Sequence, residues 1–211
     1  MIFDPSWRPA SLEEIEEAFD LYTAAVGRVA AAWNRLHDRM ENLFCKIMNA
    51  DSELLSAVWH STYSDRSQRQ MLEAAIKASK PLPLWGHLPD TANEDLLWLM
   101  KRSHSLSDKR DEAVHAPCWY FEETAGGIDV IVSAYSKHRR ARALEGKDLL
   151  IEFDWLERYI RELILFTDSA AITIPYARAA QHGPSWPQKP RVPDRRPKTA
   201  LRGRLRRPPP K

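Results

Sequence analysis

The chain has 211 residues, 31 Lys/Arg against 29 Asp/Glu, 44% hydrophobic residues, 15 Pro and 7 Gly, enough for one core-forming domain with an appendage. Two cysteines, Cys45 and Cys118, lie 73 positions apart, which excludes a disulfide scaffold and a four-cysteine zinc module. Uncharged stretches such as 54–64 and 169–177 are too short to span a bilayer, and Met1–Trp7 lacks a basic-then-apolar leader pattern, so a soluble cytoplasmic protein with no membrane partner is expected.

Ser11-Leu-Glu-Glu14 forms a capping box ahead of Ile15, Phe19, Tyr22, Val26, Val29, Trp33, Leu36, Met40, Leu43 and Ile47, spaced at three- and four-residue steps. This predicts one very long helix over 11–49, with Gly27 a point where it can bend. Asp51-Ser52 caps a short second helix through Leu54, Leu55, Val58 and Trp59. A third helix runs from Asp65 to about Ser79, burying Met71, Leu72, Ala75 and Ile76. Pro81 and Pro83 stop it, and Trp85-Gly-His-Leu-Pro89 reads as an ordered loop. Asp90-Thr91 caps a fourth helix that must finish near His115–Ala116, because the residue before Pro117 is biased away from helical dihedrals. The β-rich runs 118–122 and 128–135, split by Thr124-Ala-Gly-Gly127, predict a hairpin. Asp154 caps the last helix, which ends before Pro175. The expectation is a mainly α bundle with one very long N-terminal helix and a small β-hairpin before the last helix, over residues 1–182.

Residues 183–211 differ in kind. They hold ten Lys/Arg against one Asp, a balance of +9, whereas residues 1–182 balance at −7. With eight prolines and few large apolar groups, the segment reads as a disordered basic arm. Two readings stay open: a solubilising tail that neutralises the acidic body, or attachment to RNA, DNA or another anionic partner through residues such as Arg195 and Arg196.

A search for chemistry rejects most classes. Neither Gly-rich phosphate loop is present, nor His-Glu-x-x-His, nor a G-x-S-x-G elbow. His115-Ala-Pro-Cys118 matches half of a zinc deaminase signature, but Phe121 stands where the second cysteine is needed, so no metal or cofactor is expected. Trp33, Trp59, Trp98 and Trp155 lie on or beside apolar stripes and read as core. His37, His60, His87, His104 and His138 read as surface or singly satisfied histidines.

What remains is Arg110-Asp111-Glu112-Ala113-Val114-His115, at the end of the fourth helix. Spacing alone is weak evidence, since such a pair arises by chance on the order of once per one or two sequences of this composition. Its setting is more specific. At about 100° per residue, Arg110 and His115 differ by about 140°, whereas Asp111 and His115 differ by only ~40°. Asp111 is therefore placed to orient the imidazole while Arg110 projects to the flank. The helix C-terminus favours protonated His115, and an imidazolium beside a guanidinium suits a scissile phosphate. The plainer alternative is a C-terminal capping histidine with a surface arginine paired to Asp108 or Glu112.

Set in long helices, Arg110-Asp111-x-x-x-His115 resembles the R-x4–6-H motif of HEPN domains (higher eukaryotes and prokaryotes nucleotide-binding). The fourth helix from Leu96 to His115 carries the resemblance, and the helical pattern over 11–168 is compatible with it. Ala116-Pro117 departs from the pattern, where a Gly often follows the histidine, and the hairpin is an addition. The resemblance implies an α-helical bundle that forms a homodimer. It also implies a metal-independent endoribonuclease of toxin–antitoxin or antiphage type, cleaving RNA by 2′-hydroxyl attack, with a protein antitoxin as a partner. Arg110, Asp111 and His115 would form the catalytic set, and Lys101, Arg102 and Lys109 would follow the RNA backbone. The alternative is a non-catalytic HEPN-like dimeric module for RNA binding or assembly.

Overall fold

The computed structural model describes residues 11–79, 87–116, 118–124, 127–132 and 139–196. Its elements run α1 (Leu12–Met48), α2 (Ser52–His60), α3 (Asp65–Ser79), α4 (Ala92–His115), β1 (Cys118–Thr124), β2 (Gly127–Val132), α5 (Arg139–Leu144) and α6 (Leu149–Arg178). The chain is mainly helical, with the very long N-terminal helix that the sequence predicts.

Local chemistry sets most helix starts. Ser11 N–H donates to Glu14 Oε2 at 2.9 Å, and Glu14 N–H returns to Ser11 Oγ at 3.2 Å, closing the capping box before α1. Asp51 Oδ1 accepts from Leu54 N–H at 2.9 Å ahead of α2, and Ser64 Oγ accepts from Ser67 N–H ahead of α3. α1 ends at Met48, and the next residue, Asn49, has a φ of 52°, the left-handed conformation that asparagine tolerates.

The hairpin pairs antiparallel, Cys118 opposite Val132 and Thr124 opposite Gly127, with an irregular step between Cys118 and Tyr120. β2 ends at Val132, and the further strand residues 133–135 expected from the sequence lie outside the described residues.

Three expectations at the C-terminal half need correction. The short helix α5 was not expected. α6 begins at Leu149, because Asp148 Oδ1 accepts from Ile151 N–H at 3.1 Å; Asp154, expected as the cap, lies buried inside the helix. α6 also continues through Pro175 to Arg178. Proline removes one backbone donor there, but buried Ile174 and Ala177 anchor the last turns. Arg178 adds donors to the Lys46 and Ile47 carbonyls, at 2.7 and 3.1 Å, at the end of α1.

The described residues group into two compact units. Of the described residues, unit 1 takes those within 11–29, 111–155 and 194–196; unit 2 takes those within 30–110 and 156–193. In unit 1 the buried stripe of α1 is Ala18, Leu21, Tyr22, Ala25 and Val29, while Phe19 is 47% exposed. Tyr22 packs 5.9 Å from Phe153. In unit 2 the core holds Trp33, Leu36, Met40, Leu43, Trp59, Leu72, Ile76, Leu96, Leu99 and Ile160. Phe44 sits 5.7 Å from Trp59.

Arg178→Ala removes charged donors from carbonyls that have no helical partner, and should lower stability by about 1–3 kcal/mol. Urea denaturation of the two proteins checks this.

Candidate functional site

Within unit 2, α1, α3 and α4 bring a set of polar side chains to one tryptophan. Trp33 is fully buried, and its indole N–H donates to Asp65 Oδ2 at 2.9 Å. The same oxygen accepts from Arg110 Nη2 at 3.3 Å. The guanidinium carbons of Arg69 and Arg110 lie 5.1 and 5.7 Å from the Trp33 ring centre, so two cations share one aromatic system.

Arg69 is 2% exposed. Its Nη1 donates to His37 Nε2 at 3.1 Å, and its Nη2 donates to Ser107 Oγ at 3.0 Å. Arginine has no acceptor, so Nε2 of His37 must present its lone pair. The ring hydrogen then sits on Nδ1 and donates to Gln68 Oε1 at 3.2 Å, while Gln68 Nε2 donates to the Trp59 carbonyl at 3.3 Å. Every assignment in this relay agrees with the next. His37 is thus a buried, neutral, doubly bonded histidine, where the sequence suggested a surface or singly satisfied one.

Burial lowers the His37 pKa; Asp65 opposes this, and the Arg69 and Arg110 charges add to it. Burial acts to raise the Asp65 carboxyl. The Trp33 hydrogen bond and the nearby His37, Arg110 and Arg69 charges outweigh it and hold Asp65 below the usual carboxylate range. The His37 share of that effect exists only at acid pH, once the ring is charged.

The motif residues fall in both units. Arg110 belongs to unit 2, with Asp65 as partner where the sequence offered Asp108 or Glu112. Asp111 belongs to unit 1 and pairs with Arg140 of α5 at 3.5 Å. His115, also in unit 1, is exposed in the last turn of α4. The sequence expected Asp111 to orient that ring. Arg140, on the helix that was not expected, offers Asp111 a full opposite charge.

Among the residues expected to follow RNA, Lys101 and Arg102 are exposed on α4, with Arg102 stacked 5.9 Å from the Trp98 ring centre, and Lys109 is half-buried. Arg195 and Arg196 have partners within unit 1. Arg195 makes a two-pronged pair with Glu152, at 2.6 and 3.0 Å, and lies 4.9 Å over Trp155. The Glu152 hydrogen bonds raise its pKa further. Arg196 lies 3.9 Å from Asp154. Both charges thus face carboxylates of the chain itself.

Residues 183–193 also differ from a free arm. Trp186 N–H donates to buried Asp95 Oδ2 at 2.9 Å, and Lys189 Nζ reaches Asp95 Oδ1 at 2.6 Å. Trp186 packs edge-on against Phe166, 6.4 Å between ring centres. A Cβ at Gly183 would come within 2.5 Å of Tyr176 Cβ, so the close approach of this segment requires glycine.

Among the described residues, no group of three or more His, Cys, Asp or Glu is placed to hold a metal ion. No helix of the described residues is long and apolar enough to cross a membrane. No family model, curated protein or solved structure matches this chain.

The state of His37 can be tested through pH. Unfolded, His37 titrates near 6.5; folded, it titrates lower. Between those values the unfolded chain holds a proton that the folded chain lacks, so stability falls as pH drops below 6.5. The loss is complete once the pH passes below the folded value. His37→Gln keeps an acceptor for Arg69 and should flatten the dependence of the urea midpoint between about pH 7 and 5. An unchanged slope would show that His37 does not titrate on folding.

Proposed function

We propose that this chain is a metal-independent endoribonuclease of HEPN type, acting as a homodimer on RNA in a toxin or antiphage setting. One observation carries the reading. The R-x4-H pair ends α4 with an exposed His115, while Arg110 is held by a carboxylate and a tryptophan ring. A fixed cation needs little reorganisation as charge builds on a phosphate.

In the proposed reaction the 2′-hydroxyl of one nucleotide attacks the adjacent phosphorus, the P–O5′ bond breaks, and a 2′,3′-cyclic phosphate and a 5′-hydroxyl result. His115 takes the proton from the 2′-oxygen or delivers one to the departing 5′-oxygen. Arg110 neutralises the phosphoryl oxygens in the transition state. Asp65 is 46% exposed in its side chain, so a phosphate can compete with it for Arg110. A second copy of the motif in a dimer would supply both the acid and the base. Asp111, through Arg140, supports the segment that presents His115.

A second reading, a non-catalytic HEPN-like dimeric module for RNA binding or assembly, is favoured by the same Arg110–Asp65 pair: an arginine engaged there is withdrawn from chemistry.

Incubation of purified protein with RNA in EDTA separates the two. The nuclease reading expects fragments ending in cyclic phosphate and a loss of about 10²-fold or more on His115→Ala. Equal cleavage by the variant contradicts the assignment of His115. RNA binding and dimerisation with no cleavage by either protein would establish the second reading.

A further inference from the structure

α3 and α4 enclose an open pocket of about 410 Å³ within unit 2, lined by Arg66, Arg69, Gln70 and Glu73 from one helix and His104, Ser107 and Asp108 from the other. The volume lies in the range of small-ligand sites. Arg66 and Arg69 are one turn apart on α3, and His104 and Ser107 are one turn apart on α4, so each helix offers an adjacent pair to the same space.

The donors are organised in advance. Arg69 is fixed from behind by neutral His37 and by the Trp33 ring, so its charge is placed without freezing a flexible chain. Ser107 differs from four other helical hydroxyls. Ser103, Thr167, Ser169 and Thr173 all donate to the carbonyl four residues earlier. Ser107 instead accepts from Arg69, which leaves its O–H hydrogen for a further acceptor. Glu73 is offset by Lys77, at 2.7 Å, and by His104, at 3.3 Å, which together hold its carboxyl below the usual range. Arg66 is exposed at the mouth. Asp108, also exposed, is the carboxylate that opposes an anion there.

We propose that this pocket binds a phosphodiester group of the RNA strand, with Arg66 and the Ser107 hydroxyl as its direct donors. Arg69 is the positioning residue that fixes Ser107. The inference rests on RNA being the ligand of this chain and adds a binding subsite separate from the chemistry at His115. Ser107 stands three residues before Arg110 on α4, so a strand seated here enters the helix face that carries the motif arginine.

The test uses the full chain and a 2′-O-methyl oligonucleotide, which lacks the attacking hydroxyl and reports binding alone. Arg66→Gln and Ser107→Ala should each weaken binding about 3- to 10-fold, and Arg66→Gln should lower the salt slope by close to one phosphate contact. Asp108→Asn should tighten binding, a sign that only an anionic ligand produces. Thermal melting of each variant separates lost contacts from lost folding. Unchanged binding by Arg66→Gln and Ser107→Ala, or weaker binding by folded Asp108→Asn, overturns the proposal. If free inorganic phosphate at millimolar concentration competes with the wild type but not with Arg66→Gln, the subsite is supported. Failure here with intact cleavage sinks the subsite alone, whereas the binding pattern without cleavage keeps the subsite and sinks the nuclease.

Discussion

Two guanidiniums, one carboxylate and one neutral imidazole meet at the ring of Trp33, and the arrangement of unit 2 around α1, α3 and α4 depends on that meeting. A buried charge left alone costs several kcal/mol after relaxation. Here complementary geometry offsets part of that cost, while the Nε atoms of Arg69 and Arg110 stay buried without a hydrogen-bond acceptor among the described residues. Asp65 takes the indole and one Arg110 donor, His37 and Ser107 take one donor each from the two terminal nitrogens of Arg69, and the ring contributes about 0.5–2 kcal/mol per stacked cation. Each member restricts its neighbour. His37 can accept from Arg69 only if it stays uncharged, and it stays uncharged because it is buried beside cations. Arg110, the arginine of the proposed site, is thereby held between Asp65 and the Trp33 ring.

Much of the scaffold is legible in the residues alone because the forces that set it are local. Ser11 and Glu14, Asp51, and Pro117 act within one helical turn, and the boundaries they imply for α1, α2 and α4 agree with the structure. Where long-range contacts compete with local preference, the local reading fails. Pro175 stays inside α6 because Ile174, Ala177 and Arg178 are anchored elsewhere. Phe19 yields the buried stripe to Ala18 and Ala25, since small residues permit close packing that a hydrophobicity ranking undervalues.

The candidate site divides along the same line. His115 at an exposed helix end follows from Pro117, two residues later. The partners of Arg110 do not follow from spacing, because Trp33 and Asp65 are 77 and 45 residues away. Each gave a signal that admitted a simpler explanation: Trp33 as core, Asp65 as a helix start. Arg69 and His37 gave none, as neither has a spacing relation to the motif. The basic arm shows the opposite lesson. Its composition indicates attraction to anions, and the nearest anions for Arg195, Arg196 and Lys189 are Glu152, Asp154 and Asp95 of the chain itself.

The protonation state of one ring tests this account most directly, since a charged His37 could not accept from Arg69. Long-range proton–nitrogen correlation spectra of ¹⁵N-histidine-labelled protein at pH 7 read both ring nitrogens. The account requires a neutral His37 with hydrogen on Nδ1 and an acceptor-type Nε2 shift that changes when Arg69 is replaced by Gln. A protonated ring, or hydrogen on Nε2, would contradict it.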